Sequence, residues 1–181
     1  MITKGILTLI TLLTIVTLSF SQKNNSIKYQ KVSSTDFYDS TNYNSILKRL
    51  DKISPNSERI WGEMTASQML HHLNLAIGSG LGYYTLPDVS TFMSRGFNQF
   101  LILNVLKRFP ISTQTAQPLK VSESFNFETE KNQLKEILTK AYNTKTDGDW
   151  GKHTYFGKMT RNDYGKLIMI HCNHHFQQFS N

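Results

Sequence analysis

Apolar residues recur at helical spacing along much of the chain, and no alternating run is long enough to build a sheet. Tyr43, Ile46, Leu47 and Leu50 stand at i, i+3, i+4 and i+7 and predict helix A over about Asp39 to Lys52, stopped by the turn Ser54-Pro55-Asn56-Ser57. Thr65-Ala66-Ser67-Gln68 is a T-x-x-Q capping box that opens helix B. Helix B runs to about Ile77, where Gly78, Gly80 and Gly82 end it. Helix C lies between Pro87 and Pro110, from about Val89 to Arg108, and is apolar over much of its surface (Phe92, Met93, Phe97, Phe100, Leu103, Val105), which suits a buried or interface helix. Residues 109–126 form a long connection with two prolines and no period. Leu134, Ile137, Leu138 and Ala141 are the inner stripe of helix D, about Glu128 to Tyr142, whose outer face mixes Glu130, Lys131, Lys135 and Glu136. Helix E opens after Met159 on Thr160-Arg161-Asn162-Asp163 and runs to about Phe179. The expected fold class is all-α: a four-helix bundle of A, B, D and E, with C as an additional helix.

The remaining ends of the chain divide it further. Residues 1–21 read as a signal peptide: Lys4 supplies the positive start, Gly5 to Phe20 an uncharged and mostly apolar run, and Ser19-Phe20-Ser21 the small residues of a cleavage site after Ser21. The run is about 16 residues, short of the ~20 that span a bilayer. Export to the periplasm or medium is therefore expected, with membrane contact only through this segment where it is left uncleaved. Residues 22–35 are polar and read as a flexible lead-in, and 36–181 as the bundle domain.

Composition narrows the function. With 39% hydrophobic and 18% charged residues in a chain of 181, disorder is excluded and one domain has enough sequence for a sizeable core. The net charge is +7, but lysines and arginines are spread over every segment and no aromatic–basic run appears, so nucleic acid is not an expected partner. A single cysteine, Cys172, excludes a disulfide scaffold and a Cys-rich zinc ribbon, and reads as a small buried apolar residue.

Histidine is the informative residue. Five of the six fall in two clusters, His71-His72 on helix B and His171, His174 and His175 on helix E. At about 100° per residue, the apolar face of helix B is Ala66, Met69, Leu70, Leu73, Ala76 and Ile77. His72 flanks that face, while His71 falls near the opposite side. On helix E the stripe Tyr164, Leu167, Ile168, Cys172 and Phe179 carries His171 and His175, whose i, i+4 spacing sets them roughly 6 Å apart on one face. His174 projects toward the edge. His72, His171 and His175 thus make three nitrogen ligands for a divalent ion with a coordination position left open for water or substrate. Gln68, Gln178 and Tyr164 lie within reach as orienting partners. A lone inward histidine is more often a satisfied core residue than a ligand, so the reading depends on the two clusters meeting within about a helix diameter.

Two stretches, Trp61 to Leu73 (WGEMTASQMLHHL) and His171 to Phe179 (HCNHHFQQF), with His153-Thr154-Tyr155-Phe156-Gly157-Lys158-Met159 before the second, resemble the DinB-like superfamily of metalloenzymes. Within it they resemble a subgroup of unknown function with M-T-A-x-Q-M-L-x-H and H-x-x-H-H-x-x-Q-F motifs. The resemblance spans about residues 36 to 180. It implies a four-helix bundle that binds a divalent metal through His72, His171 and His175, with His71 and His174 as outer residues. Some members of that superfamily are thiol-dependent transferases or isomerases; an exported chain leaves the cytosolic thiols behind.

Other features carry less. Asp147-Gly148-Asp149 opens like a calcium loop, but the rest of the EF-hand pattern is missing, so a turn is expected. Asp163 and Glu63 are the carboxylates nearest the motif helices and also suit helix starts. No residue is assigned a catalytic role. The leading expectation is an exported three-histidine metalloprotein, with zinc, nickel or iron as the ion, that activates water or a thiol toward a small-molecule substrate as a hydrolase or transferase. The alternative is a non-catalytic bundle with no metal or only a structural one, in which helix C is an interface, for instance of a homodimer.

Overall fold

The structure, a computed structural model, describes residues 29–111 and 113–179. The expected signal peptide, 1–21, lies outside the described residues. From Lys31 onward the chain forms one unit built on four α-helices: α1 (Ser40–Lys52), α2 (Ala66–Gly78), α3 (Phe127–Asn143) and α4 (Arg161–Phe176). Each packs against two others: α1 lies on α3 and α4, and α2 on α3 and α4. The result is an all-α four-helix bundle. Among the described residues, β pairing is limited to the isolated bridges Arg59–Phe179 and His153–Gly157.

Each helix starts where a side chain can satisfy its orphan amides. Asp39 accepts from Thr41 N (2.9 Å) and Asn42 N (3.0 Å). Thr65 and Gln68 close the full capping box on α2, with Gln68 N donating to Thr65 Oγ1 (3.3 Å) and Thr65 N to Gln68 Oε1 (2.9 Å). Asn126 caps α3 and Thr160 caps α4. Beyond Gly78, α2 tightens into a 3-10 turn (Ser79–Leu81) and ends on Gly82 in the left-handed region at φ 82°. The chain before residue 36 already engages the bundle: Val32 packs against the core, and Asn42 Nδ2 donates to Ser34 Oγ (2.9 Å).

The core joins Phe37, Ile46, Leu50, Met69, Leu70, Leu73, Leu134, Ile137, Leu138, Tyr164 and Ile168, all essentially inaccessible. α4 runs through the middle of it. From Tyr164 to Phe176 every residue except Lys166 is buried, so this helix has no solvent face in its central and last turns. Asp147-Gly148-Asp149 is a 3-10 turn in which Asp149 accepts from Lys145 N and Thr146 N and Asp147 from Arg161 N; its carboxylates serve backbone amides.

The apolar segment between Pro87 and Pro110 departs from the expected helix in geometry, and of the two placements expected for it, buried or at an interface, the structure excludes the first. Residues 92–106 are helical, but Ser94–Asn98 and Leu101–Leu106 are π-helical, so the turn is wider than 3.6 residues. It is not a buried helix: only Ser94 and Leu103 are buried, while Phe92, Phe97 and Phe100 are 93%, 61% and 60% exposed. Its inner side lies over α4.

One close approach tests the packing. A Cβ on Gly165 of α4 would sit 2.7 Å from Tyr38 Cε2, whose ring is held by its hydroxyl on Arg161 O (3.0 Å) and by the Arg161 guanidinium 3.2 Å from its centroid. Gly165→Ala is expected to lose about 1–3 kcal/mol of stability through overpacking, read as a lower urea midpoint at unchanged m-value.

Candidate metal centre

The two histidine clusters meet. His72 on α2 and His171 on α4 bring their Nε2 atoms to 3.0 Å, and His175 Nε2 lies 3.0 Å from His171 Nε2. Ligand atoms of all three lie within 4.8 Å of one another, and all three side chains are buried. His171 and His175 are one helical turn apart on α4, which stacks their rings on one side of the helix. His72 reaches them because α2 packs directly on α4.

The protons on these rings follow from their other nitrogens. His72 Nδ1 lies 2.8 Å from the Leu119 carbonyl, and His175 Nδ1 lies 2.7 Å from Gln178 Oε1. Both partners only accept, so both Nδ1 atoms donate and both Nε2 atoms carry lone pairs. These lone pairs face His171 Nε2, which holds at most one proton and can offer it to only one of them. At least one 3.0 Å nitrogen–nitrogen contact therefore has no proton in it. His171 Nδ1 is buried without a hydrogen-bond partner. A cation at the common point satisfies every lone pair at once. Nitrogen bonds of about 2.0–2.1 Å place neighbouring ligands about 2.8–3.4 Å apart, from octahedral to tetrahedral angles, and the donor set of three neutral imidazoles suits a borderline divalent ion. The residues fit a metal.

Burial sets the charge state. It holds His72 below the ordinary 6.5 of imidazole and pushes His171 and His175 well below it, the neighbouring rings adding repulsion in the same direction. Burial also takes His153 and His174 down to about 4. All five rings are neutral near pH 7, as ligation requires.

The site opens on a cavity of about 260 Å³. Its apolar lining includes Leu101, Ile102, Leu106, Phe109, Leu119 and Phe156, and among the described residues no Lys, Arg, Asp or Glu lines it. Asn98, Thr113, Gln114, Thr115 and Tyr155 add polar groups without charge. The inner side of the π-helical segment is one wall, Phe109–Pro110 and Thr113–Leu119 a second, and α4 the floor.

The other expected residues fall variously. His174 is not at an edge: it is buried, lines the cavity, and packs edge-on to Trp61 and His175. His71 points away, with Nδ1 3.0 Å from Glu130 Oε2 and its ring stacked on Phe125 at 3.8 Å. Gln178 is the one expected orienting partner that serves. Gln68 instead caps α2 and donates to the Ser122 and Glu123 carbonyls, while Tyr164 donates to Gly151 O. Cys172 is fully buried, and burial pushes its thiol up to about 12. Asp163 accepts from Thr160 Oγ1 at the start of α4, and neither it nor Glu63 lines the cavity.

Two contributors escape a reading of the motifs. The Leu119 carbonyl is a backbone atom available to any residue, presented by the 3-10 turn Gln117–Leu119. His153 also lines the cavity. Its Nδ1 accepts from Tyr155 N (3.1 Å) and Phe156 N (3.0 Å), so its proton is on Nε2 and it is a donor, the opposite arrangement from His72 and His175. Its place in the H-T-Y-F-G stretch, where a tight turn returns amides to the ring, was the signal available.

No curated protein and no solved structure matches the chain. The family model described as Protein of unknown function (DUF1569) matches residues 32–181, which cover the whole bundle and every residue of the histidine site. The chain belongs to that family.

Proposed function

We propose that this protein is a DinB-like metalloprotein that uses His72, His171 and His175 to hold a divalent ion and acts on an uncharged, largely apolar small molecule by hydrolysis or group transfer. The observation that carries the reading is the pair of Nδ1–H bonds, to Leu119 O and Gln178 Oε1, that turns two lone pairs toward a third ring at the floor of an open cavity. A divalent ion held there supplies Lewis acidity and makes a water or thiol nucleophile available near neutral pH. The chain's own residues do the rest. Leu101, Ile102, Leu106 and Phe109 bury the apolar body of the substrate and exclude bulk water. His153 offers its Nε2 proton as a fixed hydrogen-bond donor to a polar atom of the substrate. The lack of a cation among the described lining residues argues against a phosphate or carboxylate substrate, which would meet the histidine cluster alone. Water is the favoured nucleophile, since the expected export of the chain removes it from cytosolic thiols. The second reading, a binding bundle with a structural ion, draws on the depth of the cluster: three buried neutral rings tie α2 to α4 whether or not a reaction follows.

Elemental analysis of the purified protein is expected to find about one divalent ion per chain. His72→Ala, His171→Ala and His175→Ala should each lose it, while His174→Ala keeps it. Full occupancy in H72A and H175A would refute the ligand set. Chelation separates the two readings. A large fall in melting temperature marks a structural ion, and an unchanged melt with loss of activity toward neutral esters or amides marks a catalytic one.

Gln178→Leu keeps the volume but removes the acceptor that holds the His175 tautomer. It should weaken metal affinity about 10–100-fold with the fold retained, measured by competition with a chromogenic chelator. Gly62→Ala should act in the same direction, because its Cβ would sit 2.7 Å from Gln178 Nε2 and Gly62 has φ +85°.

A further inference from the structure

Seven of the eight large apolar side chains that the described residues expose lie between Val89 and Ile111; Ile60 alone lies elsewhere. The outer side of the 92–106 segment thus presents Phe92, Met93, Phe97, Phe100 and Val105 as one patch, while its inner side supplies Asn98, Leu101, Ile102 and Leu106 to the cavity wall. An exposed aromatic cluster of this kind marks an interaction surface.

Charge decides the occupant. Arg95 lies within the segment, and Lys107 and Arg108 follow its last turn. Lys158 sits next to Gly157, whose Cβ would meet Arg95 Cγ at 3.0 Å. Lys152 reaches Asp88 (4.0 Å), just before the segment, and Lys166 Nζ donates to Asn104 Oδ1 (2.8 Å) on it. Six cations therefore border the patch; Arg95 and Lys152 pair with Asp88, and Lys166 with Asp163. Cations that are scattered in sequence are gathered here by the fold. A second copy related by a twofold axis would set this cationic border against itself. An anionic bilayer accepts both parts, the phenylalanines at the acyl boundary and the cations among the headgroups.

We propose that the 92–106 segment is a peripheral docking face for an anionic lipid surface, with Phe92, Phe97 and Phe100 entering the interface and Arg95, Lys107, Arg108 and Lys158 held at the headgroups. The mode is interfacial: no helix among the described residues is long and apolar enough to cross a membrane.

Hydrogen exchange on the full chain tests this region by region, so an apolar contribution from residues 5–20 does not mask the result. Vesicles of phosphatidylcholine with about one third phosphatidylglycerol should slow exchange over 92–106 at least about fivefold, and pure phosphatidylcholine much less. About 0.5 M NaCl should remove most of the difference. Phe92→Ser with Phe97→Ser should weaken vesicle affinity through this face at least about tenfold. These side chains are outside the core, so the melting curve should not change; the salt and lipid comparisons on the unsubstituted protein stand independently of the variant. Unchanged exchange over 92–106 with anionic vesicles overturns the proposal. So does protection that appears without vesicles and grows with protein concentration, which assigns the face to a second copy, and so does full protection in the double variant.

Discussion

The centre of this protein depends on two hydrogen bonds to nitrogens that do not face the site. Leu119 O and Gln178 Oε1 each take an Nδ1 proton, and this turns the Nε2 lone pairs of His72 and His175 inward. Without those acceptors either ring could rotate its proton toward His171 and form an ordinary buried histidine network. With them, the cluster has more lone pairs than protons at a separation of 3.0 Å, in surroundings that oppose protonation. Like lone pairs that close in a poorly polarisable interior are costly, and a shared cation removes the cost.

The two acceptors come from segments the bundle need not contain. Gln178 lies just past the end of α4, where Gln178 N bonds His175 O and Gln178 O accepts from Ile60 N (2.7 Å), which anchors the carboxyl end to the chain before α2. Leu119 lies in the connection from the π-helical segment to α3, seated on α2. The four helices bring three rings together, and the irregular chain then fixes which of their atoms face one another. This division is common, since loops can present carbonyls in directions a helix cannot.

The π-helical segment has a similar double role. A π turn is rare and tends to mark function. Here it widens the spacing so that residues 98, 101, 102 and 106 reach the cavity while 92, 97, 100 and 105 face outward. One stretch of chain is thereby apolar on two sides without being buried, and the cavity wall and the exposed patch are the two surfaces of a single layer.

Much of this was legible in the residues themselves. Capping side chains and apolar stripes are local properties: Thr65 with Gln68, Thr160 and the spacing of Leu134, Ile137 and Leu138 suffice to place the helix starts within a residue or two, while the last helix stops at Phe176, three residues before its expected end. His72, His171 and His175 were readable for the same reason, because each helix has a period and the ring either falls on the apolar side or does not. The same projection misplaced His174, since it presumes a solvent face, and the last turns of α4 have none once Trp61, Phe109 and the π-helical segment cover them. It also treated 89–108 as a 3.6-residue helix, buried or at an interface, and of those two placements only the burial fails. Which bond pattern a helical segment adopts depends on what it rests upon, in this case α4. The tautomers, the Leu119 carbonyl, the His153 donor and the gathering of six scattered cations around three phenylalanines are relations between atoms far apart in the chain. Periodicity determines which way a side chain leaves its own helix; only the packed bundle determines what it meets.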